Sequence, residues 1–470
     1  MLTDSTYDSG SVFTVTIDPN GGRGERRHHL QNGTSDTHPS EPSFDLAVIQ
    51  FSDDGAYVDS KQIAAATDCI RKARASQLNP NGALVVVFIH GWHHGASWKR
   101  TPSTAVSNPD SDKHFHFFRL ALESLALREV ERQHIDGGYS GRRVVGIYIA
   151  WNGDPGSLGS KIPLWTETFF WNRYKVAEDI GGSIQLQETI RSIIDNTKVA
   201  VPADRPGDCR PESPLVMIGH SMGALMLQSA FATLLEDPQQ PLLHQCSSQP
   251  PGPVKTQSAD ILMSFPDLIL SLNSAADSAI AKRILKALEQ CDMKKSAAAG
   301  DINYSPPLLV SVTSTGDTAT NTWWPRAKPK RKTDGNDSAL FTHTIITGSH
   351  DVHCLPRGSL DLGQNWHCLR PPQQNVATPA IPIDLPSRER KDMNDVAVPH
   401  IRYTITPIQG NESRPHLMWV FQIPTELIKD HNDISNSRAR SLTLALIQIS
   451  GAVASLAKEW VDSFEPIRNE

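Results

Sequence analysis

The run "GALVVVFIH", Gly82 to His90, limits the fold more than any other stretch of this chain. Its apolar residues are consecutive rather than alternating. A strand facing water on one side alternates, whereas a strand buried on both faces does not, and such strands belong to parallel sheets covered by helices. The neighbours fit this pattern. "SFDLAVIQF", "RRVVGIYIAW", "SPLVMIGH", "DLILSLNS" and "PPLLVSVTS" read as strands, and segments of helical spacing separate them. One of these, "DSKQIAAATDCIRKARA", has Ser60 at its expected N-cap. Another, "YKVAEDIGGSIQLQETIRSIID", is helical with a glycine interruption. This βαβα order predicts an α/β fold, with a doubly wound, mainly parallel sheet.

The alternation predicts one large domain over residues 43–470. Residues 1–42 are polar and rich in Gly, Ser, Asp and His, and are expected to be a disordered N-terminal segment. Residues 322–400 are dominated by proline and charge and read as a long, loop-rich insertion before the last strand, "HLMWVFQIPTE". The basic run from Arg326 to Lys332 is expected to be a solvated loop, with a nuclear-import address as the alternative.

The net charge of -6 argues against a general nucleic-acid binder. The six cysteines are scattered, as reduced thiols of a cytoplasmic protein would be. No secretory leader is read at the N-terminus, and no apolar run reaches the roughly 20 residues of a transmembrane helix. "LTLALIQISGAVASLA" near the C-terminus is expected to be a packed helix, with peripheral membrane contact as the alternative. Oligomeric state is not legible.

Chemistry enters at "VMIGHSMGALML". Gly219-His220-Ser221-Met222-Gly223 follows a buried strand and opens a helix. A turn that sharp leaves no room for side chains at Gly219 and Gly223, and it raises the serine into a strained, outward position at the carboxyl end of the sheet. The Met222 amide at the helix start can help to hold an oxyanion, and an H-G loop after an early strand can supply a second donor. Here that loop is "IHGWHH", and the candidate is the Trp92 amide. His93 and His94 lack the spacing of a helical metal pair.

A serine hydroxyl becomes nucleophilic when a histidine accepts its proton and a carboxylate orients that histidine. On a nucleophile elbow of this kind the acid and then the base follow in sequence, on loops after later strands. Asp317, in "STGDTATNTWWP", is favoured as the acid over Asp277, which could instead support a helix N-terminus. His431 is favoured as the base because it lies between the last strand and the last helix. His350 and His343 are the alternatives. His350, His353, Cys354, His367 and Cys368 are zinc-ligand types, but adjacent His-Cys pairs fit poorly around one tetrahedral ion, and no metal is assigned.

Together these pieces resemble the α/β-hydrolase superfamily, and within it esterase- or lipase-like serine hydrolases of bacteria and fungi. The resembling segments include "FIHGWHH", "VVGIYIAWNG", "FFWNRYKVAEDIG", "VMIGHSMGA", "DLILSLNSA", "STGDTATNTWWP" and "IKDHNDI". The resemblance implies hydrolysis of a small-molecule or lipid ester, or a related acyl bond, without a cofactor. Ser221, Asp317 and His431 would act as nucleophile, acid and base. Two other readings stand beside it: a non-catalytic binding protein on the same fold, and a zinc-dependent hydrolase. The aromatic segment "IPLWTETFFWNRY" is either a lid or acyl-binding wall, or ordinary helix packing.

Overall fold

The structure is a computed structural model. It describes residues 12–17, 28–32, 43–76, 81–95, 112–135, 141–153, 163–198, 213–236, 266–290, 308–319, 344–348, 353–356, 366–369, 381–386, 400–407 and 418–450. The strands are β1 (Val12–Ile17), β2 (His28–Asn32), β3 (Ser43–Gln50), β4 (Ala83–Ile89), β5 (Arg143–Ala150), β6 (Leu215–His220), β7 (Leu268–Leu272), β8 (Leu309–Ser314), β9 (Thr344–Gly348), β10 (His353–Pro356), β11 (Trp366–Leu369), β12 (Ile381–Pro386), β13 (His400–Pro407) and β14 (Met418–Ile423). The helices are α1 (Lys61–Ala75), α2 (Lys113–Ile135), α3 (Pro163–Gly181), α4 (Ile184–Lys198), α5 (Met222–Glu236), α6 (Ser278–Gln290) and α7 (Ser437–Ile449).

A 12-stranded sheet runs in the order β12-β13-β9-β14-β8-β7-β6-β4-β5-β3-β1-β2. Its centre, from β3 through β5, β4, β6, β7 and β8 to β14, is parallel throughout. The protein is therefore of the α/β class. Successive residues of β4 show why its sequence is uniformly apolar. Val85, Val87 and Ile89 enter one core with α1, α3, α4, α5 and α6, whereas Leu84, Val86 and Phe88 enter a second core with α2 and α7. Side chains alternate along a strand, so a sheet covered on both faces needs an apolar residue at each position.

The helices after β4 and β6 lie on opposite faces, because α2 packs into one core and α5 into the other. The chain order reverses between these adjacent strands. Ligands of open α/β sheets bind at such a switch point, beyond the carboxyl ends of the strands.

Two expectations are corrected. The N-terminal segment read as disordered carries β1 and β2, and β1 pairs antiparallel with β3 in register Val12↔Ala47 to Thr16↔Ser43. Val12 is buried against the core. The insertion over 322–400 is more than loops. β9 pairs parallel with β14, β13 joins antiparallel to β9, and β12 forms the outermost strand beyond it. At the start of α1, Ser60 holds the N-cap position as expected but makes no side-chain cap bond; the Lys61 amide donates to Asp59 Oδ1 at 2.9 Å. The glycine interruption proves to be the boundary between α3 and α4 at Gly181 and Gly182. Among the described residues no helix is long and apolar enough to cross a membrane.

Candidate active site

The site is assembled from loops at the carboxyl ends of β4, β6, β8 and β14. Ser221 is the corner between β6 and α5 and has a positive φ of 54°. For a residue with a Cβ this backbone is uncommon, and its cost is tolerated where the surroundings fix it. They do so here. The Ser221 amide donates to the Leu272 carbonyl at 3.0 Å, and the Ser221 carbonyl accepts from Ala224, Leu225 and Ala275. The glycines are steric necessities. A Cβ on Gly219 would lie 2.6 Å from Ala224 Cα, and one on Gly223 would lie 2.5 Å from the His90 carbonyl oxygen.

His431 follows β14, on the loop that leads to α7. Its Nε2 lies 2.6 Å from Ser221 Oγ, and its Nδ1 lies 3.0 Å from each carboxylate oxygen of Asp317. The carboxylate can only accept, so Nδ1 carries the proton and Nε2 offers its lone pair to the serine hydroxyl. Asp317 is fully buried, while the His431 side chain is 18% exposed, so the imidazole alone of the pair meets the surface. The Asp317 amide donates to the Ser314 carbonyl, and Oδ1 accepts from the Ala319 amide at 3.0 Å, which fixes the carboxylate.

The structure thus brings Ser221, Asp317 and His431 together. Asp277 is elsewhere: its Oδ1 accepts from the Ala279 amide at 3.0 Å, at the start of α6. His343 and His350 lie outside the described residues. In the β10–β11 hairpin Cys354 is opposite Cys368, whereas His353 and His367 fall at the other parity.

The β4 loop approaches Ser221 closely, since a Cβ on Gly91 would lie 2.9 Å from Ser221 Cβ. Among the described residues neither the Trp92 amide nor the Met222 amide has a hydrogen-bond partner. The Trp92 ring packs edge-on against Phe170 of α3 at 5.3 Å, and Trp171 and Tyr174 continue this aromatic wall. Arg173 ties α3 to Asp53 and to the Asn152 carbonyl. The described end of the aromatic segment is thus a packed helix bordering the β4 loop.

Behind the site lies a row of buried imidazoles. His90 donates from Nδ1 to the Gly91 carbonyl at 2.8 Å and accepts the Trp151 amide at Nε2. Burial holds its pKa down to about 4. His114 stacks on His94 and meets the edge of His220. Burial keeps both His114 and His220 well below the ordinary histidine range. In sequence, no carboxylate stands beside His93 and His94. The fold provides one, because Asp112, at the start of α2, binds His94 Nδ1 at 2.9 Å. Among the described residues no cluster is arranged to hold a metal ion.

No family model, curated protein or solved structure matches this chain. What the arrangement can do follows from its atoms: a buried carboxylate, an imidazole and a hydroxyl form one hydrogen-bonded line that ends at the mouth of a parallel sheet. The line can withdraw a proton from the hydroxyl and return it to a leaving group. Two further residues stand beside it: His220, read from the sequence only as part of the glycine turn, and Asn273, not singled out from the sequence. Asn273 stands in the left-handed region, at φ 44°, straight after β7, and His220 is the last residue of β6. The one signal for Asn273 is an asparagine directly after an apolar strand in "LILSLNS", where few other side chains accept that backbone.

Proposed function

We propose that this chain is a serine hydrolase of the α/β-hydrolase kind, cleaving an ester or related acyl bond through an acyl-enzyme. The observation that carries this reading is the unbroken line Ser221 Oγ, His431, Asp317, with 2.6 Å and 3.0 Å links and the serine on a left-handed elbow. His431 takes the Ser221 proton as Oγ attacks the carbonyl carbon. It then passes the proton to the departing alcohol or amine. A water activated by the same imidazole releases the acid. Asp317 holds the Nδ1–H tautomer and stabilises the imidazolium.

The Trp92 and Met222 amides, which have no partner among the described residues, are the natural donors to the tetrahedral oxyanion, and the start of α5 adds its positive end. Each such donor is worth about 100-fold or more in turnover. The aromatic edge formed by Trp92 and Phe170 favours an acyl group with apolar surface, which fits small-molecule or lipid esters.

The test is a fluorophosphonate probe with mass-spectrometric mapping of the adduct. Labelling at Ser221, absent in Ser221→Ala and in His431→Ala, is the expected result. A folded wild-type protein that takes no label would refute the hydrolase reading and favour a binding role for the same fold.

A further inference from the structure

The ring of His431 is aimed by Asp317 and Ser221, but the ring can reach them only if its backbone is correctly placed. The loop that carries it, between β14 and α7, is held through three carbonyl oxygens. Ser314 Oγ donates to the Ile428 carbonyl. Asn273 Nδ2 donates to the Asp430 carbonyl at 3.3 Å and to the His431 carbonyl at 3.1 Å. His220 Nε2 donates to the same His431 carbonyl at 2.8 Å. The three donors stand at the carboxyl ends of three adjacent strands, β8, β7 and β6, and all are fully buried.

Asn273 is used at each end. Its Oδ1 accepts the Ser314 amide at 2.9 Å, so one side chain joins the strand that leads to the acid with the loop that carries the base. Its left-handed backbone is the cost of that placement. His220 carries a different cost. Its Nδ1 is buried without a partner among the described residues and faces Gly91, whose Cβ would lie 2.7 Å away. A buried nitrogen left unsatisfied calls for an explanation. A leucine or phenylalanine would fill the space with no orphan atom, so the value of histidine here lies in its other nitrogen. The His431 carbonyl has two lone pairs, and His220 and Asn273 fill one each.

We propose that His220 and Asn273 are positioning residues, which set the catalytic base by gripping its backbone carbonyl from two sides. The role rests on the hydrolase reading. It acts through the His431 backbone, with the His220 ring also packed 5.2 Å from the His431 ring, and it is distinct from the shape requirement of the glycine turn. Loss of either donor frees the His431 backbone to shift, and a shift of about 1 Å at a reacting group costs on the order of 100-fold in rate.

The experiment compares His220→Leu, His220→Gln and Asn273→Gly with wild type. Glutamine places an amide N–H close to the position of the imidazole Nε2. Glycine removes the asparagine side chain while accepting the positive φ. Three quantities are read: the second-order rate of fluorophosphonate labelling at Ser221, the thermal midpoint, and the far-downfield NMR resonance of the His431 Nδ1 proton. Labelling is expected to slow about 10- to 100-fold in His220→Leu and Asn273→Gly, with the resonance broadened. His220→Gln recovers most of the rate at a thermal midpoint matching that of the leucine variant. Wild-type rates in His220→Leu would overturn the proposal, as would a glutamine variant as slow as the leucine one. A wild type that shows the proton resonance but takes no label refutes the hydrolase reading. The resonance of the variants then still decides whether the grip exists.

Discussion

Lowering the pH from 8 to 5 should weaken this fold through His90, and the size of the effect can be worked out. The folded imidazole is satisfied only when neutral, with Nδ1 giving its proton to the Gly91 carbonyl and Nε2 accepting the Trp151 amide. A second proton would set two donors against each other. Burial holds the folded pKa at about 4, against 6.5 for a free imidazole. Below pH 6.5 the unfolded chain therefore binds a proton that the folded chain refuses, so stability falls as pH drops from 6.5 towards 4. At pH 5 the imbalance from this one group is about 2 kcal/mol relative to pH 8. His114 and His220 are shifted in the same direction and add to it. Urea unfolding at pH 8, 6.5 and 5 measures the loss, and His90→Asn isolates the share due to His90. The variant starts less stable at pH 8, but its loss on acidification should be smaller by about 2 kcal/mol. An equal loss in variant and wild type would show that His90 is not the group responsible.

Three further outcomes follow from other parts of the structure. Gly223→Ala drives a methyl group into the Ile89 and His90 carbonyls; it should cost about 1–3 kcal/mol by chemical denaturation and remove Ser221 labelling. Asp317→Asn keeps the shape but no longer fixes the His431 tautomer, and turnover of an activated p-nitrophenyl ester should drop about 10⁴-fold at an unchanged thermal midpoint. Asp45→Ala strips the buried Arg143 guanidinium of a carboxylate held at 2.7 and 2.9 Å; a loss of about 3–5 kcal/mol in unfolding free energy is expected, with no change in the labelled residue.

Much of the central sheet was legible because its strands carry their signal locally. "ALVVVFI" is apolar at each position since both its faces are covered, and no tertiary knowledge is needed to read that. Ser221 was legible for a similar reason, as two glycines and a strand-to-helix change mark a steric event within five residues. Asp317 and His431 were favoured by their order after later strands, and Asp277, His343 and His350 stood as alternatives. The fold separates Asp277 from the site by giving it a helix start to cap. What was not legible depends on partners far along the chain. β1 sits in a polar segment and becomes a strand because β3 offers it an edge. Asn273 and His220 act on carbonyls more than 150 residues away, and Asp112 reaches His94 across a span that sequence spacing does not encode.

The outermost strand, β12, has the sequence "IPIDLP" and pairs with β13 in register Pro382↔Thr404 to Pro386↔His400. Proline has no N–H, and within a sheet it is accepted where that nitrogen points away from the ladder. Pro382, Asp384 and Pro386 share one parity, and of these three Asp384 alone carries a backbone N–H. A strand approaching from another molecule would find no backbone donor at either proline. This end of a long sheet is thereby made a poor template for edge-to-edge growth, and the protein gains protection against aggregation from residues that play no part in its chemistry.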